Sequence, residues 1–398
     1  MEQALSGIKV LDLAHYIAGP YCTKMLADYG ARVIKIEKPG TGDGARRLGP
    51  FFKDDPHPEK SGLFLYLNTS KRGITLNLKS RTGVRIFREL VKDTDILVEN
   101  FSPRVMPGLG LGYENLEKLN PRLVMTSISN FGQSGPYRDY RATEIVADAM
   151  GGWSTIIGHP DREPLKPGGN QAQFVAGLFG AVGTMAAYYS QELTGIGQHL
   201  DISIMEAVLY IQMNITSVYS YEGLIRKRVG NRVGPYPSGI LPCKDGYIGA
   251  ITVTAEKWPV LCNWMGMPEL INDPRFLTPA DRALNIDELD AIMISWLVEH
   301  EAEELFREAQ KRRLPFGIPA STKMLLESRH LQARGYFVEV DHPMTGKVKY
   351  PGAQVKMGNL PYELKRAPLL GEHNEEVYCG QLGYSKNDLV KLREQGVI

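Results

Sequence analysis

At 398 residues the chain has room for two domains, or for one large domain carrying an insertion. Its 43% hydrophobic and 23% charged residues are ordinary for a soluble globular protein. The net charge of +1, from 46 basic against 45 acidic residues, excludes a broad electrostatic footprint for nucleic acid or an anionic membrane.

The apolar run at residues 9–13 predicts a buried strand. After Ala18-Gly19-Pro20, residues 21–29 read as a helix that Gly30 closes in the position of a C-terminal cap. Residues 32–37 form the next strand. Strand, helix and strand within roughly thirty residues make a βαβ unit, which demands a parallel sheet with helices on its faces. The pattern recurs: a strand at 74–78, an amphipathic helix at 82–91, a strand at 95–99, a short helix at 115–119 and a strand at 123–129. Glu144 and Asp148 stand four apart on a helix, hence on one face. Residues 175–189 form a long, nearly all-apolar helix suited to packing on the sheet or on another subunit, and 198–203 form a further strand.

From Ile225 the texture changes. Arg226-Lys227-Arg228 and the turn-rich Gly234-Pro235-Tyr236-Pro237-Ser238-Gly239 suggest a linker. Beyond it come a strand at 247–252 and helices at 257–265, 288–299 and 302–312. The expected class is α/β. A large parallel-sheet domain spans 1–200, a linker 201–228, a smaller α+β domain 229–325, and a C-terminal segment at 326–398 returns to the large domain.

Two glycine-rich stretches, 40–44 and 108–112, lack the G-x-G-x-x-G spacing and the immediate helix of a dinucleotide site, and read as plain turns. Cys22, Cys243, Cys262 and Cys379 form no C-x-x-C pair, so neither a disulfide framework nor a zinc site is expected. No signal peptide is read at Met1-Glu2-Gln3-Ala4-Leu5, and no apolar run reaches the ~20 residues of a membrane span. The expected location is the cytoplasm.

Several motifs follow one another along nearly the whole chain. They are Gly7-Ile8-Lys9-Val10-Leu11-Asp12, Ala18-Gly19-Pro20, Leu26-Ala27-Asp28-Tyr29-Gly30-Ala31, Asn68-Thr69-Ser70-Lys71-Arg72 and Val98-Glu99-Asn100-Phe101. Leu109-Gly110-Leu111-Gly112-Tyr113, Ser129-Asn130-Phe131-Gly132, Gln173-Phe174-Val175-Ala176-Gly177, Thr194-Gly195-Ile196-Gly197-Gln198 and Pro368-Leu369-Leu370-Gly371-Glu372-His373 complete the series. In this order they resemble the family III (CaiB/BaiF) CoA-transferases. The resemblance implies a Rossmann-like large domain and an interlocked dimer, with CoA between the large domain of one chain and the small domain of the other. It also implies CoA transfer from an acyl-CoA to a carboxylic acid, with CoA as substrate and neither a metal nor an organic cofactor. In that mechanism an aspartate carboxylate attacks the thioester, forms a mixed anhydride and then an aspartyl-CoA thioester.

By the same resemblance, Tyr16, Ala18, Lys38, Leu76, Lys79, Asn100, Phe101 and Arg141 match CoA-contact positions, with Lys38 and Arg141 near the adenosine diphosphate. Arg104 is the nearby cation that can replace the arginine many members carry where this chain has Pro107-Gly108. Glu144 matches an acidic position beside the reacting centre, in a supporting role; Asp148 stands where relatives have an amide. Ile17 replaces a polar amide of the formyl-CoA transferase branch. Thr143 stands where related racemases have a catalytic histidine, which disfavours a racemase.

The sharpest departure is Gln173, which occupies the position of the nucleophilic aspartate. A carboxamide is neutral and a feeble nucleophile, and residues 166–193 contain no Asp and one acid, Glu192. The expected function is therefore that of a subunit without its own nucleophile, paired with a homologous aspartate-bearing chain. Heteromeric succinyl-CoA:benzylsuccinate CoA-transferases are the family's example. The alternatives are an active homodimer using Glu144 or a direct exchange, and a CoA-binding regulatory or structural protein.

Overall fold

Six short runs build one sheet: β1 (Lys9–Asp12), β2 (Arg32–Glu37), β3 (Arg72–Thr75), β4 (Ile96–Glu99), β5 (Val124–Ser129) and β6 (Gln198–Ser203). Their order is β3-β2-β1-β4-β5-β6 and every pairing is parallel. Alternate side chains bury to opposite faces. Leu11, Ile34, Ile36, Leu97 and Met125 enter one core, while Val10, Val33, Ile96, Val98 and Val124 enter the other. That two-sided burial is what a parallel sheet with helices on both faces requires. The computed structural model describes residues 2–232, 236–252 and 254–398. Gly234 and Pro235 of the expected linker turn lie outside them.

The chain divides into two units. The first comprises Met1–Trp153, Lys166–Glu222 and Gln332–Ile398, and the second Ser154–Leu165 and Gly223–Leu331. In the second, β7 (Ser238–Cys243) and β8 (Gly246–Ile251) form an antiparallel hairpin, and the helices Lys257–Met265, Ile286–Leu297 and Ala302–Lys311 bury Trp258, Leu261, Leu289, Met293 and Leu305. In the first, the stretch after Gln332 carries a second hairpin, β9 (Phe337–His342) with β10 (Gly346–Pro351). The chain then covers the edge of β3: the His373 amide donates to the Gly73 carbonyl at 2.9 Å, and the Tyr378 hydroxyl to the Thr75 carbonyl at 2.7 Å. An exposed strand edge is thereby closed.

Some boundaries differ from those read in the sequence. Residues 201–228, read as a linker, hold the end of β6 and the helices Ile204–Tyr210 and Met213–Glu222, all within the first unit. The signal was Ser203, whose hydroxyl accepts the Glu206 amide and caps the first of these helices. The first helix begins at Ala18 rather than residue 21, and β3 at Arg72 rather than 74.

The long helix is the correction that matters most for the site. It spans Gln171–Thr194, not 175–189, so Gln173 is its third residue. Its inner face is lined by Ala172, Ala176, Gly177, Gly180 and Ala181, all buried. A Cβ on Gly177 would lie 2.5 Å from the Ala18 carbonyl oxygen, so only glycine lets this helix pack so closely on the Ala18–Asp28 helix. Its outer face leaves Leu178, Val182, Tyr189 and Leu193 exposed. Among the described residues no helix is long and apolar enough to cross a membrane.

Candidate active site

The strand order reverses between β1 and β4, and in open parallel sheets the crevice beyond the carboxyl ends at such a switch point is where ligands bind. Here that crevice is made by the turn after β1 and by Asn100-Phe101 after β4. Asn100 clamps the two together. Its Oδ1 accepts the His15 amide at 2.7 Å, and its Nδ2 donates to the His15 carbonyl at 2.7 Å.

Buried charges fix the same turn from behind. Asp12 accepts the Ala14 amide (2.9 Å), the Thr23 hydroxyl (2.7 Å) and the Lys71 ammonium (2.9 Å). Lys35 donates to the Ala14 carbonyl and to Asp43, and Asp43 in turn accepts the Tyr16 amide at 3.0 Å. Burial alone would raise the Asp43 carboxyl, but Lys35 and the His15 side chain hold it well below the ordinary range. So held, Tyr16 takes φ +63° and lays its ring on Gly44, where a Cβ would fall 2.4 Å from the ring.

Two adjoining cavities share Tyr16, Asn100 and Phe101 in their walls. The smaller, of about 490 Å³, is lined by His15, Lys38, Arg47, Leu76, Lys79 and Leu109. Neither Lys38 nor Lys79 has an ion-pair partner among the described residues. Arg47, which the sequence reading missed because it lies outside any motif, adds a third cation. The larger, of about 1040 Å³, is lined by Ile17, Arg104, Ser129, Arg141, Thr143, Glu144, Asn170 and Gln173 among others. Arg104 is held by a bidentate pair with Asp139 (2.8 and 2.5 Å), whereas Arg141 is exposed and unpaired among the described residues. The Ser129 hydroxyl is buried without a partner among them, a group left for a ligand. Ala18 is fully buried and lines neither cavity; of the CoA-contact positions expected from the sequence, it alone stands apart.

Gln173 enters the larger cavity from the first turn of its helix. The Asn170 side chain makes no cap there. Glu144 does so from another helix, its Oε1 accepting the Ala172 amide at 2.8 Å and its Oε2 the Gln173 amide at 3.3 Å. Burial pushes the Glu144 carboxyl above its ordinary value, with the Ala172 amide opposing. Asp148, one turn further along the Glu144–Met150 helix, is fully buried; neither of its oxygens has a hydrogen-bond partner among the described residues, and it lines neither cavity. The side-chain carboxamide of Gln173 has no hydrogen-bond partner among the described residues. No group of His, Cys, Asp and Glu among them is arranged to hold a metal ion.

A sequence model of CoA-transferase family III matches residues 5–374. The chain belongs to CoA-transferase family III. It is 35% identical over 399 residues to the succinyl-CoA–D-citramalate CoA-transferase of Chloroflexus aurantiacus, covering 99% of this chain and 98% of that one. It is likewise 35% identical over 422 residues to the formyl-CoA:oxalate CoA-transferase of Rhodopseudomonas palustris, covering 100% and 98%. Among solved structures, a CaiB/BaiF family protein from Brucella suis superposes with a TM-score of 0.86 at 29% identity, over 96% of this chain and all of that one. A family III transferase scaffold thus carries a carboxamide in the first turn of the helix at the rim of its larger cavity.

Proposed function

We propose that the chain supports CoA transfer between an acyl-CoA and a carboxylic acid as the nucleophile-free subunit of a heteromer. Its companion would be a homologous chain with aspartate at the position of Gln173. The observation that carries this reading is Gln173 itself, on a helix terminus and facing a cavity, yet unable to form an acyl-enzyme. Its amide can orient a thioester carbonyl by hydrogen bonding, but losing a catalytic nucleophile removes a factor of about 10⁴ or more in rate.

The neighbouring acids do not replace it. Both oxygens of Glu144 accept backbone amides, and Asp148 is buried away from the cavity wall. The free cations Lys38 and Lys79, with Arg47, suit the phosphates of CoA in the smaller cavity. Tyr16 and Phe101 would flank its pantetheine arm, leading the thioester toward Gln173. The exposed stripe of Leu178, Val182, Tyr189 and Leu193 supports a second chain as partner.

The test is an exchange assay between succinyl-CoA and a second carboxylic acid, followed by hydroxylamine trapping and peptide mass spectrometry. Alone, the chain should bind CoA and show no transfer. Mixed with an aspartate-bearing homologue it should show transfer, with the adduct on the homologue. Robust exchange by the isolated chain ends the proposal, and CoA binding that no homologue converts to transfer favours a CoA-binding protein.

A further inference from the structure

The three adjacent strands β3, β2 and β1 each open on a basic residue: Arg72, Arg32 and Lys9. Lys9 and Arg32 are register partners, and Arg72 stands beside Ile34, two rungs further along the same face. Like charges side by side repel, so this arrangement calls for negative charge close by.

The chain supplies that charge only in part. Lys9 pairs with Asp93 at 2.5 Å and Arg72 with Glu376 at 2.8 Å. Arg32 makes no ion pair and no side-chain hydrogen bond among the described residues. The C-terminal segment brings two more cations to the same place. Arg366 is held by Glu372 at 2.9 Å, whereas Lys365 stands 3.7 Å from Glu363.

These five cations line a cavity of about 700 Å³ at the amino ends of the strands, the end of the sheet opposite the candidate active site. Lys71 lines it too, with its ammonium held on Asp12, and Glu363 is the one acid in the wall among the described residues. Two neutral donors complete the wall. Gln3 Nε2 is buried without a partner among the described residues, a donor left for an incoming acceptor. His373 accepts the Gly73 amide on Nδ1 at 3.1 Å, which puts the proton of the neutral ring on Nε2.

We propose that this cavity is a second anion site, taking a compact polyanion: a di- or triphosphate, or a polycarboxylate. Arg32 is its principal charge, because a guanidinium presents its N–H groups in a fork matched to phosphate or carboxylate oxygens. Lys365 is the second, since its hold on Glu363 is loose. The bound anion offsets the repulsion between Lys9 and Arg32. It also ties the strand starts to the C-terminal segment, which Ser70 already joins there. The Ser70 amide donates to the Lys365 carbonyl at 3.0 Å, and its hydroxyl accepts the Lys365 amide at 3.1 Å. Binding at this end takes no part in acyl transfer and stabilises the folded chain.

Calorimetry of the full chain with pyrophosphate, and separately with citrate, tests the site at neutral pH and physiological ionic strength. One anion should bind per chain. Arg32→Gln, at an exposed position, should weaken that binding by about tenfold. Lys365→Gln should weaken it as well, while Lys79→Gln, in the smaller cavity at the other end of the sheet, should leave it in place. Tighter binding of pyrophosphate assigns the site to phosphate compounds, and tighter binding of citrate assigns it to polycarboxylates. Saturating anion should raise the melting temperature of the parent and not that of Arg32→Gln. Binding that Arg32→Gln leaves unchanged, or that Lys79→Gln abolishes, overturns the inference. So does a chain that binds neither anion up to roughly millimolar concentration. The CoA reading concerns the opposite end of the sheet and stands or falls separately.

Discussion

Attack on a thioester needs a group that can become a good anionic nucleophile, and at position 173 the chain offers a carboxamide. The surrounding residues still have the form of a working site: a helix N-terminus, a carboxylate capping it, and a cavity in front. Gln173→Asp should therefore give the isolated chain measurable CoA transfer in the exchange assay, against none for the parent. The new carboxylate also gains about 0.3–1 kcal/mol from the helix N-terminus, partly offset by the nearby Glu144. Glu144 can be tested through stability alone. Glu144→Ala leaves the Ala172 and Gln173 amides without their acceptor and should lower unfolding free energy by about 1–2 kcal/mol in denaturant melts. Glu144→Gln, which can still accept, should lose less.

The element that shapes the site is the strand end. β1 and β4 finish side by side, and their following turns are tied by Asn100, Asp43 and Lys35, so the cavity walls depend on buried polar groups as well as on packing. Glu99 adds a pH dependence of definite sign. Its carboxyl stands at about 7 in the fold against an ordinary 4.5, so the folded state binds a proton that the unfolded state releases between those values. Stability should thus fall as pH rises from about 4.5 to 7, by on the order of 3 kcal/mol. Thermal melts of Glu99→Gln across this range should lack that part of the slope, and the variant should equal or exceed the parent in stability at pH 8.

At the scale of the whole molecule, the Gln171–Thr194 helix serves two surfaces. Its small residues seat it on the sheet, and its outer stripe of Leu178, Val182, Tyr189 and Leu193 is left in solvent. Apolar side chains aligned on one face and unburied within a chain suit association with another chain. Val182→Asp should shift the purified protein toward a smaller species in light scattering, with little change in secondary structure by circular dichroism. An unchanged mass would remove this stripe from any interface.

The sequence by itself determined the α/β class, the parallel sheet and the carboxamide at position 173, because these depend on local hydrophobic period and on the identity of single side chains. It also marked Tyr16, Lys38, Leu76, Lys79, Asn100, Phe101 and Arg141, all of which line one of two joined cavities. What it could not give were relations between distant segments. Only the fold decided that Glu144 caps the Gln173 helix from 28 and 29 residues away, and that Arg47 faces the same cavity as Lys38. It likewise set Lys9, Arg32 and Arg72, from three strands, in the wall of one cavity with Lys365. Such contacts join residues that share no periodic pattern, so they exist only once the strands are in register.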